Sequence, residues 1–174
     1  VADYPLLDIT QTPGKLVNIK YPMIGQKSEK PRVGIYNLAS GKTVFISPKN
    51  NPEDYVTNLA FTPDEKYVLI AELNRGQNDM NLNLYETATG NFVRTLFNEK
   101  NSKWVEPEHA AFFPNSKSNN FVWISEKDGF NNLYYYSIDG KLIKKLTTNK
   151  FPTREIIGAN PAGTEIYFKA TGEK

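Results

Sequence analysis

At 174 residues and 39% hydrophobic content the chain is long enough to bury a core, and its 13% aromatic share leans toward β structure. Its 21 basic and 19 acidic residues are interspersed, which excludes the clustered positive face that nucleic acid requires. With no cysteine, disulfides, thiolate catalysis and Cys-based zinc sites are excluded as well.

The chain opens on Val1-Ala2-Asp3-Tyr4, which is not a basic-then-apolar leader, so any export signal is expected to be removed or to lie outside this piece. The first strand signal is the alternating run Val33-Gly34-Ile35-Tyr36. The turn Ala39-Ser40-Gly41-Lys42 and a second β-prone run, Thr43-Val44-Phe45-Ile46, follow it. Next come Val56–Phe61, the turn Phe61-Thr62-Pro63-Asp64, and Tyr67-Val68-Leu69-Ile70-Ala71. That last run is about as apolar as the chain becomes, far short of the roughly 18 residues of a membrane helix. The Gly turn then returns as Ala88-Thr89-Gly90-Asn91, between Leu82–Tyr85 and Phe92–Leu96. Farther on, a Pro turn at Phe113-Pro114-Asn115 precedes Leu133-Tyr134-Tyr135-Tyr136, the turn Ile138-Asp139-Gly140-Lys141 and Leu142–Leu146. The last Pro turn is Asn160-Pro161-Ala162-Gly163.

Two series of hairpin turns therefore interleave, each with a period of about 50 residues, and no window shows a helical stripe. Two hairpins per period make four strands, the arithmetic of a propeller blade. An immunoglobulin-like sandwich also has many short strands, but it would not repeat its turn chemistry at this interval. The predicted fold class is all-β, a partial β-propeller of antiparallel four-stranded blades, with about three blade equivalents in a single segment. The expected divisions are residues 17–46 as the outer half of one blade, 55–97 and 109–147 as full blades, and 154–170 as the inner half of another.

Four segments, in order, resemble the N-terminal propeller of the dipeptidyl-peptidase IV family, bacterial type. They are Tyr21-Pro22-Met23-Ile24-Gly25 leading into Val33–Leu38, then Leu73-Asn74-Arg75-Gly76-Gln77-Asn78, then Trp104-Val105-Glu106-Pro107, and last Ser125–Tyr134 with its Asp128-Gly129-Phe130. The resemblance implies a parent serine exopeptidase that removes X-Pro or X-Ala dipeptides. It also implies an eight-bladed propeller over a C-terminal α/β-hydrolase domain, and a periplasmic or secreted location. This stretch has no Gly-x-Ser-x-Gly elbow and one histidine, His109. The family's substrate-gripping acids belong to sequence before it, and Glu106-Pro107-Glu108 stands elsewhere. No catalytic, substrate-binding, cofactor or metal residue is therefore assigned.

Several clusters bear on chemistry, each with a plainer reading. Ser125 with Asp128-Gly129 could be a ligand loop, but a tight turn with Asp as its cap and Gly at positive φ explains it. Arg75, Gln77 and Asn78 are expected to satisfy loop backbone groups. Glu106, Glu108 and His109 include metal or acid–base elements, yet His109 points opposite to both glutamates in an extended chain. Trp123, Phe112-Phe113 and Tyr134–Tyr136 are expected to pack blade on blade. The function read here is a non-catalytic propeller piece whose partners are the parent's hydrolase domain, peptide substrate through the parent, and a second copy in a homodimer. The alternatives are a stand-alone protein-binding propeller and a propeller hydrolase acting on carbohydrate.

Overall fold

Alternating side chains between Gly- and Pro-led turns produce thirteen strands and no helix among the described residues, which in this computed structural model are 1–23, 25, 26 and 30–172. Ile24 of the first motif and part of the 17–46 division lie outside them. The chain falls into two compact units, Val1–Pro31 and Arg32–Lys174.

The first unit is a hairpin of β1 (Ala2–Asp8) and β2 (Lys15–Tyr21), antiparallel from Ala2↔Tyr21 to Asp8↔Lys15. Asp8 closes its loop by accepting from the Thr10 amide at 2.9 Å and from Gln11 Nε2 at 2.9 Å. One face of this ribbon carries Tyr4, Leu6, Val17, Ile19 and Tyr21, all exposed. The outer hairpin was expected to start at 17; instead residues 17–21 pair with β1. Ala2–Asp8 is hard to read as a strand in the sequence because Pro5 interrupts it.

The second unit begins with the hairpin β3 (Gly34–Asn37) and β4 (Lys42–Phe45). A four-stranded meander follows: β5 (Tyr55–Phe61), β6 (Tyr67–Leu73), β7 (Asp79–Glu86) and β8 (Phe92–Lys100), in that spatial order. Then comes a sheet of β9 (Phe121–Ser125), β10 (Asn132–Tyr136) and β11 (Leu142–Lys145). The inner strand expected before β9 is reduced to one bridge, Phe112↔Val122. Pro107 and Pro114 bracket that run and remove two ladder donors. The hairpin β12 (Thr153–Ala159) and β13 (Ile166–Ala170) ends the unit.

Faces rather than edges carry the packing. Val68, Ile70 and Tyr85 turn one face of the four-stranded sheet toward Ile35 and Ile46. Leu69, Met80, Leu82 and Leu84 turn the other toward Phe121, Trp123, Tyr134 and Tyr136. Val122, Ile124 and Leu133 repeat the step against Ile156 and Ile166. Because both faces of β6 are covered, its sequence runs nearly unbroken in apolar residues, whereas β7 keeps Asn81 and Asn83 between its buried apolar side chains. This repeated face-to-face stacking of antiparallel sheets makes the unit a partial propeller.

Two turn glycines set the spacing between sheets. Gly90 has φ +73° and Gly140 φ +90°, and each lies against the outer strand of the preceding sheet. A Cβ at Gly90 would run into the Phe45 carbonyl, and one at Gly140 into the Leu96 carbonyl. The Pro-led turns are tied in a similar way: Asn119 Nδ2 donates to Asp64 at 3.0 Å, and Asn115 Nδ2 to the Ala162 carbonyl at 3.2 Å.

Candidate functional site at the loop end of the sheets

In an antiparallel stack, every second connection emerges at the same end. Here those connections are residues 47–54, 74–78, 101–109, 126–131 and 146–152. Backbone hydrogen bonds tie neighbouring connections together: Asn101 N–H to Asn78 C=O at 3.0 Å, Val105 N–H to Gln77 C=O at 2.8 Å, and Thr153 N–H to Asn131 C=O at 2.9 Å.

The most enclosed acidic side chain behind this end, among the described residues, is Glu72 on β6, 1% exposed. Its Oε1 accepts from Asn83 Nδ2 at 2.8 Å and from the Tyr85 hydroxyl. Its Oε2 accepts from the Asn50 amide at 2.8 Å, while the Lys49 amide donates to the Tyr85 oxygen at 2.9 Å. Thr95 extends the chain by donating to Asn83 Oδ1 at 2.7 Å. Burial, with the Glu72 hydrogen bond next in weight, pushes the Tyr85 hydroxyl far above its ordinary value. Every oxygen is occupied in fixing the 47–50 connection, so the group is a structural anchor. Sequence reading passed over it, although a glutamate inside Val68-Leu69-Ile70-Ala71-Glu72-Leu73 is the signal that would have found it.

The flagged loop residues separate by role. Asn74, rather than Arg75 or Gln77, cages the 74–78 connection: its Oδ1 accepts the Asn78 and Asp79 amides at 2.9 and 3.1 Å. Arg75 instead lies over the Tyr55 ring at 4.5 Å, and Gln77 has φ +53°. In the 126–131 turn Gly129 takes φ +99°, as expected. The cap, however, is Ser125, whose Oγ accepts the Lys127 amide at 3.1 Å. Asp128 reaches away from the turn and accepts from the Tyr134 hydroxyl at 2.7 Å and Lys145 Nζ at 2.5 Å.

His109 lies 3.9 Å from Glu108 in a partly exposed pair. Burial, then the charges of Glu106 and Glu108, raises the Glu126 carboxyl, so these acids share one neighbourhood. No group of three or more His, Asp or Glu side chains among the described residues is placed to hold a metal ion. The aromatics do pack sheet on sheet: Phe97 stacks on Tyr136 at 4.5 Å and meets Trp123 edge-on at 5.8 Å. At the opposite end a groove of about 690 Å³ is lined by Ile35, Tyr36, Val44, Phe61 and Thr87. Lys42 and Glu65 also line it, with Asn37 and Ser40.

A family model described as the dipeptidyl peptidase IV (DPP IV) N-terminal region matches residues 1–174. The chain belongs to that family. Among solved structures, a Bacteroides ovatus protein assigned as a dipeptidyl aminopeptidase IV is 34% identical over 98% of this chain, with a TM-score of 0.79. Porphyromonas gingivalis dipeptidyl peptidase 4 shares the fold at a TM-score of 0.77 and 23% identity, over 98% of this chain. The match spans only 27% and 24% of those two chains, so both relatives are several times longer. No helix among the described residues of this dipeptidyl peptidase IV N-terminal region is long and apolar enough to cross a membrane.

Proposed function

We propose that this chain is the non-catalytic propeller scaffold of a dipeptidyl-peptidase IV-like serine peptidase. The parent removes X-Pro and X-Ala dipeptides from peptide N-termini with a triad in a C-terminal α/β-hydrolase domain. The propeller gates the catalytic chamber and holds substrate, and the parent works in the periplasm or outside the cell. The observation that carries this reading is the 34% identity across 98% of this chain and only 27% of a much longer relative. The absence of a Gly-x-Ser-x-Gly elbow here agrees with it. In blade terms, residues 55–97 are a full blade and 109–147 a second whose inner strand is reduced to one bridge, while 32–46 and 154–170 belong to blades shared with other parts of the parent's ring of eight.

The partners of this reading are the hydrolase domain, peptide substrate bound through the parent, and a second copy. Free strand edges support the last of these. β3 and β13 each have one edge with no strand beside it among the described residues, and such edges recruit other chains.

The test compares the 174-residue chain with a longer protein in which it continues into a hydrolase domain, using a Gly-Pro-linked chromogenic substrate. The expected result is turnover by the longer protein and none by this chain. Turnover by the purified 174-residue chain, or an unrelated domain in place of the hydrolase, would overturn the reading. The second of these outcomes favours the stand-alone binding propeller.

A further inference from the structure

The second unit carries two half-sheets that correspond to the two halves of its four-stranded sheet. In the turn from β5 to β6, Thr62 N–H donates to the Tyr67 carbonyl and Glu65 N–H to the Thr62 carbonyl. The turn from β12 to β13 repeats both bonds, Asn160 to Glu165 and Gly163 to Asn160. Gly90 N–H donates to the Glu86 carbonyl between β7 and β8, and Gly41 N–H to the Asn37 carbonyl between β3 and β4. Thus β12 and β13 match the inner pair β5 and β6, while β3 and β4 match the outer pair β7 and β8. Set side by side, in the order β12-β13-β3-β4, the two halves make one whole sheet.

The open edges agree in phase. On β13 the Glu165 carbonyl is taken by Asn160, and just beyond it the Thr171 amide donates to Pro152. The odd-numbered residues therefore bond toward β12, and Ile166 and Phe168 turn their N–H and C=O outward. On β3 the Asn37 carbonyl is taken by Gly41 and the neighbouring Val33 carbonyl by Ile46, which leaves Gly34 and Tyr36 outward. The β6–β7 register, Val68↔Tyr85 and Ile70↔Asn83, carries over to Ile166↔Tyr36 and Phe168↔Gly34. Both are then hydrogen-bonded pairs. No like charges meet, since Glu165 falls opposite Asn37 and Lys169 opposite Val33.

The faces agree as well. Ile166 packs with Val122, Ile124 and Leu133, while Ile35 packs with Val68 and Ile70. In the joined sheet Tyr36 shares the face of Ile166 and lies toward the β9–β11 sheet of one copy. Tyr167 shares the face of Ile35 and lies toward the four-stranded sheet of the other, beside the groove of about 690 Å³ that Ile35 and Phe61 line. The seam between the four-stranded sheet and the β9–β11 sheet is filled in this manner by Trp123 and Tyr134. In the single chain Tyr36 and Tyr167 are instead 59% and 52% exposed. Gly41 points the same way. It has φ +68°, yet the one heavy atom near the place of its Cβ is the Tyr36 hydroxyl oxygen at 3.7 Å, so no strand receives its turn as Phe45 and Leu96 receive Gly90 and Gly140.

We propose that β13 of one copy of this chain pairs with β3 of a second copy and completes a four-stranded sheet across the interface. The inference rests on the reading of 32–46 and 154–170 as half blades, and on that reading the parent fills the same edges from the rest of its ring. The contact is head-to-tail, so each copy offers β13 at one end and β3 at the other. One copy brings about three blade equivalents, and two copies joined at both ends bring about six, within the roughly four to eight that close a propeller. The assembly therefore closes as a dimer with two identical joints.

Because the chain has no cysteine, an engineered disulfide reports the contact directly. Hydrogen-bonded antiparallel partners stand about 5.5 Å apart at Cα, within reach of a disulfide. Tyr36→Cys and Ile166→Cys are made as two separate full-length chains. Oxidised alone, each is expected to stay uncross-linked, and mixed they should give a covalent dimer. That dimer should form equally when Leu6 and Val17 of the β1–β2 ribbon are replaced by lysine. A chain carrying both cysteines should stop at a dimer with both joints bridged. In the lysine background, Tyr36→Pro removes an outward N–H while leaving the bonds between β3 and β4, and sedimentation should then show a monomer. Cross-linking of either single variant with itself, or none in the mixture, would overturn the edge pairing. A ladder running past the dimer in the doubly substituted chain would overturn the closed ring. Should Tyr36→Pro fail to fold, the cross-links decide alone. Turnover of the Gly-Pro substrate by the longer protein is read independently, so this pairing and the peptidase reading fail separately.

Discussion

Trp123 stands at the centre of the largest cluster of buried side chains, 1% exposed, with Phe97 against its edge and the Tyr134 strand beside it. Truncating a buried aromatic removes its transfer free energy and leaves a cavity that the flanking strands cannot close. Trp123→Ala is therefore expected to lower stability by about 3–5 kcal/mol, read as a fall in the denaturant midpoint. An unchanged midpoint would mean that the seam does not depend on the aromatic stack. The exposed Trp104 is the natural control. Its removal should leave the midpoint nearly unmoved, within about 0.5 kcal/mol.

Among the elements, β6 shows how an interior strand can carry one acidic side chain and still be a core strand. Six of its seven residues are buried, and Glu72 is among them. Glu72→Ala would strand the Asn83 amide, the Tyr85 hydroxyl and the Asn50 N–H in a dry site. The expected loss is about 3 kcal/mol, with the 47–50 connection released to proteolysis before the sheets unfold. Glu72→Gln keeps the shape but turns one acceptor into a donor, so about 1–2 kcal/mol is expected. Urea unfolding and limited proteolysis of the two variants check both figures.

The hairpins of the second unit were legible because their turn chemistry repeats: Gly41, Gly90 and Gly140 all take positive φ at the tips of Tyr-rich hairpins. β1 was not legible, since a proline-bearing edge strand carries no such mark. Nor was the shrinking of the 109–113 strand to one bridge, because flanking prolines decide pairing while the apolar pattern survives. The anchoring roles of Asn74 and Ser125, and the turning of Asp128 toward Tyr134, depend on side-chain reach across strands. Periodicity along one strand does not encode that reach.

For the molecule as a whole, the notable surface is the Tyr4, Leu6, Val17, Ile19 and Tyr21 face of the β1–β2 ribbon. A two-stranded hairpin with an uncovered apolar face is marginal by itself and gains from association. Sedimentation of the isolated chain should show concentration-dependent self-association. Replacing Leu6 and Val17 with lysine, an opposed pair on that face, should weaken it. A single monomeric species across the concentration range would count against both the ribbon face and the free strand edges as contact surfaces.

The seats of Gly90 and Gly140 have a consequence for how such a chain comes into being. Each glycine turn lodges on a strand made some forty-five residues earlier, Phe45 for one and Leu96 for the other. On the ribosome the receiving strand always emerges first, and the incoming turn finds its berth already synthesised. Assembly can then proceed in the direction of translation, one sheet laid on the last, without waiting for the far end of the ring. The same arrangement makes the chain intolerant of changes in stride. A residue gained or lost between a berth and its glycine shifts the turn along a carbonyl row that accepts no side chain, and the misfit passes to every sheet that follows.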